Sequence, residues 1–485
     1  MTLENTVTLS SALLFFYFLF VAVLSIRILL DNKPPEVSIA WLLAIYFLPY
    51  AGAAIYLLSG VNWKKKKIMK QLPEKTFEKF LGPVLTRQME FMKGEWDNIE
   101  NDIAKNITLA IKSGNSIITL NNAVEMYYQG HSFFEKLMED LENAVDSINL
   151  EFFIFRSDGM GRRIKSILSR KVREGVKVKM IFDGVGCFNK MSRRFKKELR
   201  LSGIETRYFL NPMNVLSGRL LNYRNHRKIV VIDGKTGYTG GMNIGLEYLD
   251  GGKKYHSWRD SMIRVEGEAV QMLQGVFLSD WYNSGGEMVY DAGFFPEAEQ
   301  REVQLPMQIV CSGPDSEWNS LRMMFAGLIH NANDEIYIQS PYFVPETTIM
   351  NALTTAALSG VEVHLMMTGI PDKYIPFWVA HTYFEELIKA GVHVYLYEKG
   401  FLHSKTLVVD GSIATIGSCN IDVRSFNLDY EANAFIYDKT FAAQLIDKFH
   451  EDSAECRHIS ESDIREVTFV GRLRNSIFRI IAPLL

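Results

Sequence analysis

Apolar positions divide the chain into three regions with different periodicity. From Leu9 to Leu30 the only charged residue is Arg27, and from Val37 to Val61 there is none. Runs this long and apolar predict two membrane-crossing helices, with Pro34 and Pro35 in the connection between them. From Gln71 to Lys112 the positions are mostly polar at helical spacing, which predicts a linker subdomain. Beyond it, short apolar and β-branched runs opened by glycine alternate with helical stretches, the signature of βαβ units on a largely buried sheet. These runs come in pairs. "SINLEFFIF" is answered by "EIYIQSPYF", "GVKVKMIFD" from Gly175 by "GVEVHLMMT" from Gly360, and "GIETRYF" from Gly203 by "GVHVYLY" from Gly391. The expected fold class is therefore α/β, as two similar mixed-sheet halves related by pseudo-twofold symmetry behind two transmembrane helices. The expected divisions are an anchor over 1–67, the linker over 68–131, and halves over 132–300 and 301–485.

Composition narrows this picture. With 485 residues of which 47% are hydrophobic, the chain has enough apolar content for several packed or membrane-attached domains, and disorder is excluded. Cys187, Cys311, Cys419 and Cys456 are far apart and form no CxxC pair, so neither a disulfide framework nor a zinc site is expected. No basic region precedes the first apolar run and a second run follows it, so a cleaved signal peptide is not expected. Lys64 to Lys67 directly follow the second run. By the positive-inside rule they place the remainder of the chain in the cytoplasm of a multi-pass membrane protein. The net charge of −3 conceals an excess of +11 between Arg156 and Arg200, densest in "NKMSRRFKKELR". Such a stretch suits phosphate backbones, acidic lipid headgroups, or a solvated helix face.

One sentence of residues is written twice. "NHRKIVVIDGKTGYTGGMN" begins at Asn225, and "LHSKTLVVDGSIATIGSCN" begins at Leu402. The first copy supplies His226, Lys228, Asp233, Gly240, Gly241 and Asn243, and the second supplies His403, Lys405, Asp410, Gly417, Ser418 and Asn420. In an extended strand His226 and Lys228 share a face, as do His403 and Lys405, while Asp233 and Asp410 point away and read as structural members of the motif. Imidazole beside ammonium suits a phosphate ester: the former attacks or protonates, the latter holds non-bridging oxygens. The small residues let the backbone approach the site, and Asn243 and Asn420 are candidate phosphate donors. Two facing halves would supply one histidine to attack and one to protonate the leaving alcohol, and symmetry leaves the two roles open. Aligning "WRDSMIRVEG" with "DYEANAFIYD" offers Asp260 to orient His226 and Glu431 to orient His403, with Glu247 in reserve. The halves differ by an eleven-residue insertion before His226, around "NPMNVLSGRLLN", which reads as a substrate entrance, an apolar dip of Met213, Val215 and Leu216 into a membrane, or a surface loop.

The doubled motif resembles the phospholipase D superfamily. "RNHRKIVVIDG", "GGMNIG", "SWRD", "QSPYFVP", "GFLHSKTLVVDG" and "DVRSFNLDYE" are similar to bacterial cardiolipin synthases, as are the paired N-terminal apolar runs. The resemblance implies two mixed α/β domains sharing one interfacial site. It implies transfer of a phosphatidyl group between two phosphatidylglycerol molecules, releasing glycerol, without a metal or other cofactor and with His226 as nucleophile and His403 as acid. Asp429 stands where that family usually shows Asn, and Ser418 stands where the first copy has Gly. A hydrolase that resolves the same intermediate with water, acting on phospholipid or nucleic acid, is the competing reading. The basic run lacks the interleaved aromatics of a nucleic-acid groove, so anionic lipid is the expected partner. A scaffold with a degenerate site fits poorly with two intact motifs.

Overall fold

In the computed structural model the described residues are 3–32, 35–48, 50–60, 74–94, 100–210, 222–287 and 292–481. The first half contributes β1 (Asn122–Gln129), β2 (Ser147–Phe152), β3 (Lys177–Asp183), β4 (Glu205–Phe209), β5 (Lys228–Ile232), β6 (Thr236–Gly240) and β7 (Trp258–Gly267). They lie in the order β1-β7-β6-β5-β2-β3-β4. The second half contributes β8 (Met307–Ser312), β9 (Glu335–Gln339), β10 (Glu362–Thr368), β11 (His393–Tyr397), β12 (Thr406–Val409), β13 (Ile413–Gly417) and β14 (Asp429–Ile436). Their order is β8-β14-β13-β12-β9-β10-β11, the same arrangement again. In each sheet the β2-β3-β4 or β9-β10-β11 ribbon is parallel and the other side antiparallel, so both sheets are mixed.

Burial explains the long apolar runs. Every residue of β5 and of β12 is buried, because helices cover one face of each sheet and the other half covers the second. One core lies under the helices of the first half, around Phe133, Ile148, Met180 and Val230, and another under those of the second, around Leu321, Ile338, Leu365 and Leu407. A third joins the halves: Ile229, Val231 and Ile263 meet Ile309, Val408 and Ala434, with Leu273 and Leu445 from the helices Glu268–Asn283 and Lys439–Ser453. Each such aliphatic side chain contributes roughly 1.5–3 kcal/mol when fully buried, so this shared core opposes separation of the halves.

Backbone hydrogen bonds also cross between the halves. Arg224–Asn225, just before the first motif histidine, pairs in parallel with Asp429–Tyr430 at the start of β14. Phe401–Leu402, just before the second, pairs in parallel with Trp258–Arg259 at the start of β7. The exchange brings the residues just before each motif histidine against the start of a strand of the other half.

The N-terminal expectation needs correction. The first apolar run is helical over Leu3–Leu30, but the second is not one helix. It forms Pro35–Phe47, a break at Tyr50 with φ of 63°, a short helix Ala51–Ile55 and a π-helical turn Tyr56–Gly60. Pro49 in the sequence gives the reason, since proline removes a donor and disfavours continuing the preceding turn. Among the described residues no helix is long and apolar enough to cross a membrane. The helices form a hairpin whose inner side, Val21, Leu24, Ile28, Trp41 and Ile45, is buried. Lys64 to Lys67 and the insertion residues Met213, Val215 and Leu216 lie outside the described residues. Farther on, helices span Glu74–Gly94 and Asn101–Gly114, and the latter sends Ile107 and Ala110 into the second half's core.

The basic stretch is distributed over the helices Gly159–Arg173 and Arg193–Leu201 and over β3. Part of its charge is paired, as in Lys171 with Glu174 at 2.6 Å and Arg194 with Glu198 at 2.8 Å. On the second helix Phe195 and Leu199 point inward, Lys196 lies 5.3 Å over the Tyr208 ring, and Arg193 and Lys197 are exposed.

Candidate active site

The strand exchange builds the site. The backbone N–H of His226 donates to the Tyr430 carbonyl at 2.9 Å, which sets its ring beside the next residue of β14, Glu431. His226 Nδ1 lies 2.9 Å from Glu431 Oε1 and 3.1 Å from the Ser418 carbonyl. Because a carbonyl only accepts, Nδ1 carries the proton and Nε2 holds the lone pair. The other motif repeats this with partners exchanged. His403 N–H donates to the Arg259 carbonyl at 2.7 Å, and its Nδ1 lies 2.6 Å from Asp260 Oδ2. The expected pairing within each half is therefore overturned: Glu431 orients His226 and Asp260 orients His403. The reserve candidate Glu247 instead binds Arg156, with Oε1 2.8 Å from Nε.

The lysines lie beneath the histidines. Lys228 is fully buried and donates to the His226 carbonyl at 2.5 Å, and Lys405 donates likewise to the His403 carbonyl. Burial lowers Lys228 to about 7, with the Lys405 ammonium adding to the effect, and burial alone lowers Lys405 to about 8, while Glu431 and Asp260 pull both upward. A bound phosphate would restore their charge, since an anion favours the protonated form.

The two carboxyl groups differ. Burial pushes Asp260 up, but His403, Lys405 and the Ser261 N–H outweigh it and hold the group below the usual aspartate range. Burial wins at Glu431, which rises well above the ordinary carboxylate value despite Lys228, with Asp429 adding to the rise. The Ser418 hydroxyl donates to Glu431 Oε2 and accepts the Ala432 N–H at 3.0 Å. Gly241 occupies the matching place in the first motif, where a Cβ would sit 2.0 Å from Asp260 Oδ1. The glycine is needed for the carboxylate's approach. Burial lowers both histidines, His226 to well below its ordinary value with Lys228 and Lys405 adding to the effect, and His403 with Lys405 against Asp260.

The remaining motif residues separate by role. Asp233 and Asp410 sit in tight turns with φ of 53° and 49°. Asp233 accepts the N–H groups of Val145, Asp146 and Ser147, and Asp410 those of Asn333, Asp334 and Glu335. They hold the start of β2 and β9 against the end of β5 and β12, away from the histidines. Asn243 accepts the Ile154 N–H at 3.0 Å, and Asn420 donates to Ser425 Oγ at 3.1 Å, so both amides shape loops beside the site. Asp429, the departure from the family's Asn, is buried; burial raises it to about 6 against Arg424, whose Nη2 is 3.3 Å away.

Sequence reasoning missed several neighbours. Arg227 pairs with Asp280, and Arg259 Nε with Asp452 Oδ2 at 2.8 Å, two buried ion pairs that brace the histidine loops against the helices Glu268–Asn283 and Lys439–Ser453. Tyr342 donates to Asp372 at 2.6 Å, and Lys373 next to it lies close enough to His226 to lower its basicity. Arg227 lies inside the first motif and Arg259 directly before Asp260, but Asp280, Asp452, Tyr342, Asp372 and Lys373 stand at no spacing that marks them, so only the repeat of Asp280 and Asp452 at equivalent points of the two halves was available as a signal. Phe153 packs edge-on to His226 at 5.1 Å, and Trp258 and Phe401 flank His403, forming the apolar walls responsible for the desolvation.

Comparison with known proteins agrees with this architecture. Residues 137–281 and 325–453 match the family described as cardiolipin synthase, PLD-like domain, and residues 14–60 match phospholipase D-nuclease N-terminal. The chain is 37% identical to the major cardiolipin synthase ClsA of Bacillus subtilis (strain 168), covering 99% of this chain and all of the relative. It is 37% identical to a cardiolipin synthase of Geobacillus sp. (strain WCH70), covering 94% of this chain and 90% of that one. The crystal structure of phosphatidylserine synthase from Haemophilus influenzae Rd KW20 shares the fold at a TM-score of 0.59 and 16% identity, covering 79% of this chain and all of that chain. Two matching motif repeats on a doubled mixed-sheet α/β fold place the chain in one class, the phospholipase D-like proteins. Within it, the chain belongs to the cardiolipin synthase family.

Proposed function

We propose that the protein makes cardiolipin and glycerol from two molecules of phosphatidylglycerol through a phosphatidyl-histidine intermediate. The observation that supports this most directly is the crossed pair of dyads, His226 with Glu431 and His403 with Asp260, each made from both halves. His226 Nε2 attacks phosphorus and the bond to the departing glycerol breaks. His403, protonated at Nε2 and facing an ionised Asp260, gives that glycerol oxygen its proton. Then His403, now neutral, takes the proton of the second lipid's hydroxyl, whose oxygen attacks phosphorus and releases His226. Lys228 and Lys405 hold the non-bridging oxygens, with Asn243 and Asn420 at the edge of the same site.

We propose further that the N-terminal hairpin anchors the protein in the cell membrane with the catalytic halves on the cytoplasmic side. The hairpin's outer side supports this: Phe15 and Phe47 are 65% and 77% exposed, and Phe16, Phe18 and Leu29 are also exposed. In water such a belt is unfavourable, whereas lipid tails would cover it. Lys64 to Lys67, directly after the second apolar run in the sequence, favour the same orientation. The test is to give purified protein phosphatidylglycerol in detergent and resolve the lipid products. Cardiolipin with equimolar glycerol is expected, and phosphatidic acid as the main product would establish the hydrolase instead.

A further inference from the structure

The helix Phe469–Ile481 is turned the wrong way for a protein surrounded by water. Its sequence, FVGRLRNSIFRII, places Phe469, Leu473, Ile477 and Ile480 on one stripe with Val470 at its edge. In a surface helix that stripe normally faces the core. Here it faces outward: Phe469 is 78%, Val470 74% and Ile480 69% exposed, with Leu473 and Ile477 about half exposed. The side that meets the protein carries Asn475, buried, and Phe478, whose ring lies 5.2 Å from Trp378 on the helix Tyr374–Ala390.

The flanks of the stripe are cationic. Arg472, Arg474 and Arg479 are exposed, and the helix contains no acidic residue. Arg474 lies 4.3 Å over Trp378 and Arg479 4.5 Å over Tyr383, which fixes the helix on its support while leaving guanidinium nitrogens at the surface. An apolar stripe between arginines, held on a rigid platform, has the composition of a helix that lies in the headgroup layer of an anionic bilayer. A second copy packed through the same helix would meet these arginines with like charge. The supporting helix begins at Tyr374, directly after Lys373, whose charge adds to the lowering of His226.

We infer that the helix Phe469–Ile481 is a second membrane contact, lying in the surface of an anionic phospholipid bilayer and holding the catalytic halves against it. The inference concerns a surface separate from the N-terminal hairpin and uses no catalytic residue. It rests on the proposal of a lipid substrate only for its activity arm.

The test uses the full chain in vesicles of phosphatidylglycerol and phosphatidylcholine. Leu473→Cys, Ile477→Cys and Ile480→Cys are labelled with a polarity-sensitive fluorophore, with Ser359→Cys as an exposed control and the unsubstituted protein correcting for its native cysteines. Quenching by brominated lipid at all three helix positions, absent at position 359, is the expected result. Unquenched, water-exposed labels would overturn the inference, as would labels already shielded without lipid in a species that cross-links as a dimer. In the second arm, Leu473→Glu with Ile480→Glu should lower turnover of bilayer substrate on the order of tenfold while leaving turnover in detergent micelles unchanged. Equal activity of this variant in both settings would sink the functional part. If the protein made no cardiolipin at all but the labels were quenched, the membrane contact would stand and the proposed reaction would fall.

Discussion

The two halves carry the same strands in the same order and the same motif, yet the dyads they build differ. His226 faces Glu431, a carboxyl raised by burial and capped by the Ser418 hydroxyl. His403 faces Asp260, held ionised by His403, Lys405 and the Ser261 N–H, and approached closely because Gly241 has no side chain. An ionised partner stabilises an imidazolium, and a neutral one does so far less. The difference supports the roles proposed above, which the repeat leaves symmetric. His403, beside the ionised carboxylate, suits the proton donor, and His226, depressed furthest by burial and by the surrounding cations, stays neutral and so suits the attack.

The largest expected effect comes from removing either histidine. His226→Ala and His403→Ala should each reduce turnover by about 10³-fold or more, since attack and leaving-group protonation belong to one step. They should differ in one respect: an acid-labile phosphatidyl adduct should form on His226 in the His403→Ala protein given a lipid with an activated leaving group. Mass spectrometry that located the adduct on His403 in the unsubstituted protein would reverse the roles.

Next come the carboxyl groups, which test the crossing itself. Activity should be bell-shaped in pH, with limbs that belong to the coupled pair of imidazoles. Asp260→Asn removes an ionised neighbour of His403, so the proton is held less tightly and the alkaline limb should move to lower pH, by roughly 1 unit or more. Glu431→Gln replaces a group already pushed toward neutrality, so it should lower the plateau and leave that limb nearly in place. If the limb moved with Glu431→Gln alone, the assignment of the halves would be exchanged.

A smaller and more local contrast separates Gly241 from Ser418. Gly241→Ala drives a methyl into Asp260 Oδ1 and should cost roughly 10- to 100-fold in kcat. Ser418→Gly removes one hydrogen bond to Glu431, and a loss of only about 10-fold or less is expected. Equal losses would mean that the asymmetry of the dyads has no bearing on rate.

The two motif aspartates should show no asymmetry. Asp233→Asn and Asp410→Asn each weaken an acceptor for three backbone N–H groups, and Asn tolerates the left-handed turn, so each should cost about 1–3 kcal/mol of stability in denaturant melts. Activity per folded molecule should remain nearly unchanged. A selective loss of kcat at one of them, with stability intact, would contradict their structural reading. The smallest effect is expected from chelation, because in the proposed reaction Lys228 and Lys405 supply the positive charge at phosphorus. Exhaustive chelator treatment should leave turnover in place, and loss reversed by a single divalent ion would overturn the mechanism.

Much of this was written in the chain itself. The spacing of His226, Lys228 and Asp233, repeated at His403, Lys405 and Asp410, marks the candidate site, because a strand's two-residue period sorts side chains by face whatever surrounds it. Paired apolar runs show two buried mixed sheets for a similar reason: burial on both faces leaves an uninterrupted apolar signal. The basic stretch was visible, but its distribution over two helices and a strand, with part of its charge spent in local ion pairs, was not. Local pattern failed at the N-terminus in a different way, since hydropathy sums over a window and is blind to the break at Tyr50. The outward stripe of Phe469–Ile481 also lies beyond periodicity, which shows that a stripe exists but not toward what it turns. Tertiary structure alone decided which carboxylate serves which histidine. Strand alignment within a half points to Asp260 for His226, yet Arg224–Asn225 and Phe401–Leu402 each pair with the opposite half, carrying the histidines across the interface. A strand edge accepts any partner with free backbone groups, so the choice is made by packing of the two sheets around Ile229, Val408 and their neighbours.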